Sequence, residues 1–184
     1  MTQGATVESS DRIRLFVALE VPADVSDALR HWGEQHFQRG RRVDSFHVTL
    51  AFLGAQSRSS VGAIAEVMRR EAAATQPFVL APAGYRETRS VGMLVLGDPS
   101  GSAASLADRV QRGLEQLGVY EPEHRAWLPH ITCLRFRARP GLDPPLPEIE
   151  PFAPSGVAAL LSRLHPSGAR YEVLESCSVG RRGG

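Results

Sequence analysis

The feature that most constrains this chain is a tetrad that occurs twice. His47-Val48-Thr49-Leu50 stands in the first half and His130-Ile131-Thr132-Cys133 in the second. Each lies in an apolar, strand-like run, Phe46 to Leu53 and Trp127 to Leu134. Residues i and i+2 of a strand share a face, so each His projects together with its Thr. Each tetrad also closes the same local order: a strand, a helix, then the His-Xaa-Thr strand. That is an internal duplication. It predicts an α+β, bilobal fold in which two antiparallel sheets face a central cleft, with helices on their outer sides.

The elements follow from periodicity and punctuation. Arg12 to Leu19 places Ile13, Leu15 and Val17 on one face and Phe16 and Ala18 on the other, which predicts a central strand. Pro22 opens a helix carrying Val25, Ala28, Leu29 and Trp32. Gly40 to Asp44 turns the chain, and Gly54 ends the first His strand. Ser59 or Ser60 caps a second helix through Ile64, Val67 and Met68 to about Ala74. Pro77 and Pro82 bound a short strand, Phe78 to Ala81. In the second half, Val91 to Leu96 predicts a strand. Leu106, Val110, Leu114 and Leu117 then form a helical stripe. Residues 140–156 are a proline-rich connector. Val157 to Leu164 and Arg170 to Leu174 predict a hairpin. The expected organisation is one domain over residues 1–184, with halves near 12–82 and 90–139 and the hairpin at 157–174. Residues 1–11 and 178–184 are expected to be disordered.

Two histidines and two threonines around one small volume suit acid–base chemistry on a phosphoester. Opening a cyclic phosphodiester by water requires one proton removed from water and another given to the leaving oxygen. Imidazole, with an ordinary pKa of about 6.5, serves either role. Threonine hydroxyls can donate to the phosphate oxygens. No carboxylate stands inside either tetrad, so the expectation is a mechanism without metal or cofactor. All 21 basic residues are Arg, which excludes a nucleotidyl-lysine or Schiff-base intermediate. The net charge of +1 supplies no global field for nucleic acid, so such a ligand must be met locally. Cys133 and Cys177 form no framework of disulfides and no CxxC pair. No apolar run is long enough to span a bilayer. A monomer in the cytoplasm is the default expectation.

These motifs resemble those of the two-histidine (2H) phosphoesterase superfamily, and within it the RNA 2′,3′-cyclic phosphodiesterases first described as 2′–5′ RNA ligases. The resemblance runs from about Arg12 to Leu174. It rests on Arg14-Leu15-Phe16-Val17-Ala18-Leu19, on His47 to Gly54, on Pro129 to Arg135, and on Gly168-Ala169-Arg170-Tyr171-Glu172-Val173-Leu174. Cys133 departs from the usual aliphatic residue and acts as a small hydrophobe. The resemblance implies that His47 is the general acid on the departing 3′-oxygen and His130 the base that activates water. It implies that Thr49 and Thr132 bind phosphate oxygens, that Phe52 stacks on the terminal base, and that Arg135 contacts phosphate or ribose. The implied substrate is an RNA end with a 2′,3′-cyclic phosphate and the product a 2′-phosphate, with weak ligation in reverse without ATP. Two alternatives compete: a phosphodiesterase for 2′–5′ oligonucleotides or small cyclic nucleotides, and a non-catalytic module that binds RNA ends.

Parity opposes two of these roles. Phe52 and Arg135 each lie five residues after their His, so an unbroken strand sends both to the wrong face. The pleat must end or bulge after each Thr. Without that, Phe52 is a core residue and Arg135 a solvated charge. Arg39, Arg41 and Arg42 form a basic run that is either solvated or meets RNA phosphates beyond the terminal nucleotide. His31, His36, His124 and His165 read as surface residues and Trp127 as core.

Overall fold

The structure, a computed structural model, describes residues 12–165 and 168–180. Apolar residues on both faces place β1 (Arg12–Glu20) in the middle of a sheet, between β3 (His47–Ser57) and β7 (Gly156–His165). The remaining strands are β2 (Arg41–Arg42), β4 (Ala81–Glu87), β5 (Val91–Gly97), β6 (His130–Arg135) and β8 (Gly168–Cys177). The helices are α1 (Ala23–His36), α2 (Val61–Ala73) and α3 (Ser102–Gln116).

The two sheets expected from the duplication are in fact one. The described strands form an eight-stranded antiparallel sheet in the order β4-β5-β6-β3-β1-β7-β8, with β2 also paired to β6. It curls as a half-barrel. The halves join where β3 and β6 meet through a single pair, Val48 opposite Ile131. Joining there leaves neither His strand as an open edge with unpaired backbone groups. Val48 and Ile131 are the middle residues of the two tetrads. The local twofold relation between the halves therefore passes between them, and both His-Thr pairs flank it.

One face of the sheet is covered and the other open. Leu15, Val17 and Leu19 of β1 join the main core with Leu29 and Trp32 of α1, Ile64 and Met68 of α2, and Leu106 and Leu114 of α3. The duplication shows in this layer too, because α1 lies against β6 and α3 against β3, each helix on the other half's His strand. The opposite side chains of β1, Phe16 and Ala18, form a separate small cluster on the open face with Ala158 and Leu160 of β7 and Tyr171 of β8.

Several boundaries differ from those expected. β3 does not stop at Gly54; that residue takes φ of +65° and the strand continues to Ser57. Ser60 precedes α2 without a capping side-chain bond, and it is Ser57 whose hydroxyl accepts the Ser59 N–H. The strand expected over Phe78 to Ala81 reduces to a bridge between Leu80 and Phe152, followed by β4. Pro82 and Gly84 concealed β4; at the edge of the sheet a proline needs no partner for its missing N–H. Leu117 caps α3 instead of extending its stripe and is exposed. The proline-rich connector is anchored by the Trp32 indole, which donates to Pro145 O at 2.8 Å. It is also anchored by the buried Glu87 carboxylate, which accepts the N–H groups of Gly141 and Leu142. Val179 packs against the core, and the Gly180 N–H donates to Ala72 O. The expectations for 1–11 and 181–184 lie outside the described residues.

Candidate active site

Strand register brings all six candidate residues to the open face. On β3, His47 lies opposite Glu20, Thr49 opposite Ala18 and Phe52 opposite Phe16, all even-numbered positions of β1. The register slips by one residue between Thr49 and Ala51, so Leu50 is the extra residue of a bulge. On β6, His130, Thr132 and Arg135 lie opposite Val95, Met93 and Val91. Here the slip falls between Thr132 and Leu134, with Cys133 as the extra residue. Each strand therefore carries two successive buried residues after its Thr, Leu50-Ala51 and Cys133-Leu134. The next side chain returns to the open face. Phe52 is 61% exposed, which rules out the core reading, and Arg135 is exposed as well.

A bulge frees backbone carbonyls, and side chains take them up in the first half. The Trp127 indole donates to Thr49 O at 2.9 Å, and the Gln111 amide donates to Leu50 O at 2.7 Å. Both donors come from the second half of the chain. Trp127 packs against the core as expected, and its indole also clamps the backbone of the first tetrad. In the second bulge the Cys133 thiol meets Ile131 O, and burial pushes that thiol up to about 12, leaving it a small hydrophobe at neutral pH.

The two imidazoles have unlike surroundings. His130 lies with Nδ1 2.8 Å from Leu128 O. A carbonyl only accepts, so Nδ1 carries the proton and Nε2 of the neutral ring has a free lone pair. His47 packs against Phe16, with ring centroids 4.8 Å apart, and edge-on to Tyr171 at 5.0 Å. Its Nδ1 is buried and has no hydrogen-bond partner among the described residues. An orphaned buried N–H is costly. The proton of the neutral ring therefore belongs on Nε2. Burial, then the Arg135 guanidinium and then His130, push the His47 pKa down to about 4. The free protein thus holds His47 neutral at pH 7.

Beside this pair is a cavity of about 310 Å³, walled by Thr49, Phe52 and His130 with Val91, Met93 and Trp127. Its apolar walls suit a flat ring on Phe52, and Arg86, Thr88, Gln111 and Glu123 supply polar groups at its margin. Among the described residues, no group of three or more His, Cys, Asp and Glu side chains could hold a metal ion. His31 and His36 lie on the solvent side of α1 and at its end, and His124 and His165 are exposed. Phe16 and Tyr171 went unrecognised as site residues. The signal was present: Phe16 has the parity of the open face, and Tyr171 lies in the final hairpin.

Fold and site together define a phosphoesterase of the two-histidine class. A model of the 2′-5′ RNA ligase superfamily matches residues 20–165, and the chain belongs to that family. It is 31% identical over 140 residues to the RNA 2′,3′-cyclic phosphodiesterase of Escherichia coli (strain K12), a match covering 74% of this chain and 79% of that protein. The crystal structure of E. coli LigT in apo form superposes with a TM-score of 0.75 at 27% identity, over 94% of this chain and 100% of LigT. The crystal structure of a Thermus thermophilus protein, TT0787, gives a TM-score of 0.78 at 27% identity, over 91% of this chain and 98% of that one. No helix among the described residues is long and apolar enough to cross a membrane.

Proposed function

We propose that this protein hydrolyses the 2′,3′-cyclic phosphate at RNA ends to a 2′-phosphate. The Nε2 lone pair of His130 takes a proton from water as its oxygen attacks phosphorus. The bond from phosphorus to the 3′-oxygen breaks, and protonated His47 gives that oxygen its proton. Thr49 and Thr132 donate to the non-bridging oxygens. Phe52 lies under the terminal base and Arg135 holds the phosphate or ribose. The same displacement with a 5′-hydroxyl in place of water makes a 2′–5′ bond without ATP.

The observation that carries this reading is the pairing of repeat-equivalent histidines whose rings are held differently. Leu128 O sets His130 as an acceptor. His47, neutral when the cleft is empty, needs an anion nearby to take up its proton. A bound phosphodiester is such an anion, so substrate itself would arm the acid. That a LigT structure is in complex with 3′-AMP supports a nucleotide as the kind of ligand.

The deciding experiment is turnover of a short RNA ending in 2′,3′-cyclic phosphate, with a 2′–5′ oligoadenylate alongside, before and after dialysis against EDTA. The expected result is a 2′-phosphate product from the cyclic end at an unchanged rate after dialysis. Cleavage of the oligoadenylate alone would favour the 2′–5′ reading. Binding without turnover of either would leave an RNA-end-binding module.

A further inference from the structure

A second cavity is lined by Arg135. It measures about 470 Å³ and lies between β2, the turn before β3 and the start of β8. Arg41, Arg42, Arg135 and Arg170 line it, and Asp44 is the sole carboxylate among the described residues that do. The sequence alone did not divide the basic run. The structure does. Arg41 lies directly opposite Arg135 in the antiparallel ladder, so the two share the open face with His130 and Thr132. Arg42 lies opposite buried Leu134, and its stem runs along α1: a Cβ on Gly33 would meet its Cδ at 3.5 Å. Arg39 does not line the cavity.

The ladder thus sets two guanidiniums directly opposite each other beside the two histidines. The Arg41 guanidinium reaches the hairpin and passes over Gly168, where a Cβ would collide with its Nη1; Gly168 also takes φ of +123°, a conformation that side chains rarely adopt. Tyr171 lines the cavity and also meets the His47 ring in a T-shaped contact. Arg135 lines the cavity too, and its charge is felt at His47.

We propose that this cavity is a second phosphate subsite, which grips the phosphodiester on the 5′ side of the terminal nucleotide. The inference rests on the proposed hydrolysis of RNA ends. The terminal nucleotide carries one phosphate besides the reacting one, and it is attached to the 5′-oxygen. With the base on Phe52 and the reacting phosphate between the histidines, that phosphate is the neighbouring anion. The subsite makes the protein a reader of chain ends in preference to simple cyclic nucleotides.

Calorimetric titration tests this without requiring turnover. The probes are adenosine 2′-phosphate and adenosine 2′,5′-bisphosphate, which differ only in the 5′-phosphate. A charge-assisted contact predicts that the wild type binds the bisphosphate roughly tenfold or more tightly. Arg41→Ala should bring the ratio of the two affinities close to one. Arg41→Gln, which keeps the stem over Gly168 and reports on folding damage, should do the same. Equal affinities in the wild type, no binding of either probe, or a ratio that survives both substitutions overturns the subsite. Turnover of adenosine 2′,3′-cyclic phosphate, with and without a 5′-phosphate, separates the two readings. A retained binding ratio with no turnover sinks the hydrolase and keeps the subsite. Equal turnover of both with no binding ratio does the reverse.

Discussion

The two halves of the molecule share a backbone plan and differ in what surrounds it. Each has a His, a Thr two residues on, a one-residue bulge and a side chain returned to the open face. In the first half the imidazole is enclosed by Phe16 and Tyr171, its Nδ1 unpartnered among the described residues, and the returned side chain is Phe52. In the second half the imidazole is oriented by Leu128 O and the returned side chain is Arg135. The lesson is that duplication supplied the geometry and divergence the chemistry. A symmetric pair of rings would titrate alike, and a symmetric cleft would accept a nucleotide in two orientations. The differences in this cleft lie at the positions where such symmetry must fail.

The largest effect that can break the comparison is loss of either ring. His47→Ala and His130→Ala should each reduce kcat by roughly 10²-fold or more, ~3 kcal/mol of barrier, because each removes one proton transfer. Melting temperatures measured alongside would show that the fold persists. Activity near that of the wild type in either variant would mean that the two halves are not both catalytic.

Smaller effects should separate the returned side chains. Arg135→Ala removes a charge-assisted contact and should weaken binding of a nucleoside 2′-phosphate by about 1.5–3 kcal/mol. Arg135→Lys should recover only part, because an ammonium lacks the planar fork. Phe52→Ala should cost nearer the lower end of the 1–3 kcal/mol typical of a base–aromatic stack, with little change in base preference. Titration of the product on each variant measures both. Unchanged affinity in Phe52→Ala would leave that exposed ring without a role in the cleft.

Much of this was legible in the sequence because strand parity is a strict rule. A period of two forces His47 with Thr49 and His130 with Thr132 onto one face, and the five-residue offset brings Phe52 and Arg135 to that face only if the pleat ends or bulges after each Thr. The single sheet was not legible. Whether two duplicated halves face one another or join edge to edge depends on one contact, Val48 with Ile131, and no periodicity encodes it. β4 was hidden because Pro82 and Gly84 are poor strand residues that an edge position tolerates. The clamps on the first bulge were hidden as well. Gln111 and Trp127 lie 61 and 78 residues from the carbonyls they hold, and hydrogen bonds over such distances leave no local pattern.

The burial of the His47 ring also fixes the sign of a pH dependence. Burial beside Phe16 and Tyr171 lowers its pKa to about 4, against about 6.5 in an unfolded chain. Between these values the unfolded state binds the extra proton and the folded state does not. Stability therefore rises with pH across that window. The contribution is fully present above pH 6.5 and is lost progressively as pH falls toward 4. Denaturant midpoints measured from pH 7 to pH 4 should decline more steeply for the wild type than for His47→Gln, which has no ring to protonate. A bound phosphate or nucleoside 2′-phosphate should shrink the His47 component, because an anion in the cleft stabilises the charged imidazolium. Parallel curves for the wild type and His47→Gln would show that the first ring is no harder to protonate in the fold than in water, and the electrostatic difference between the halves would fall with it.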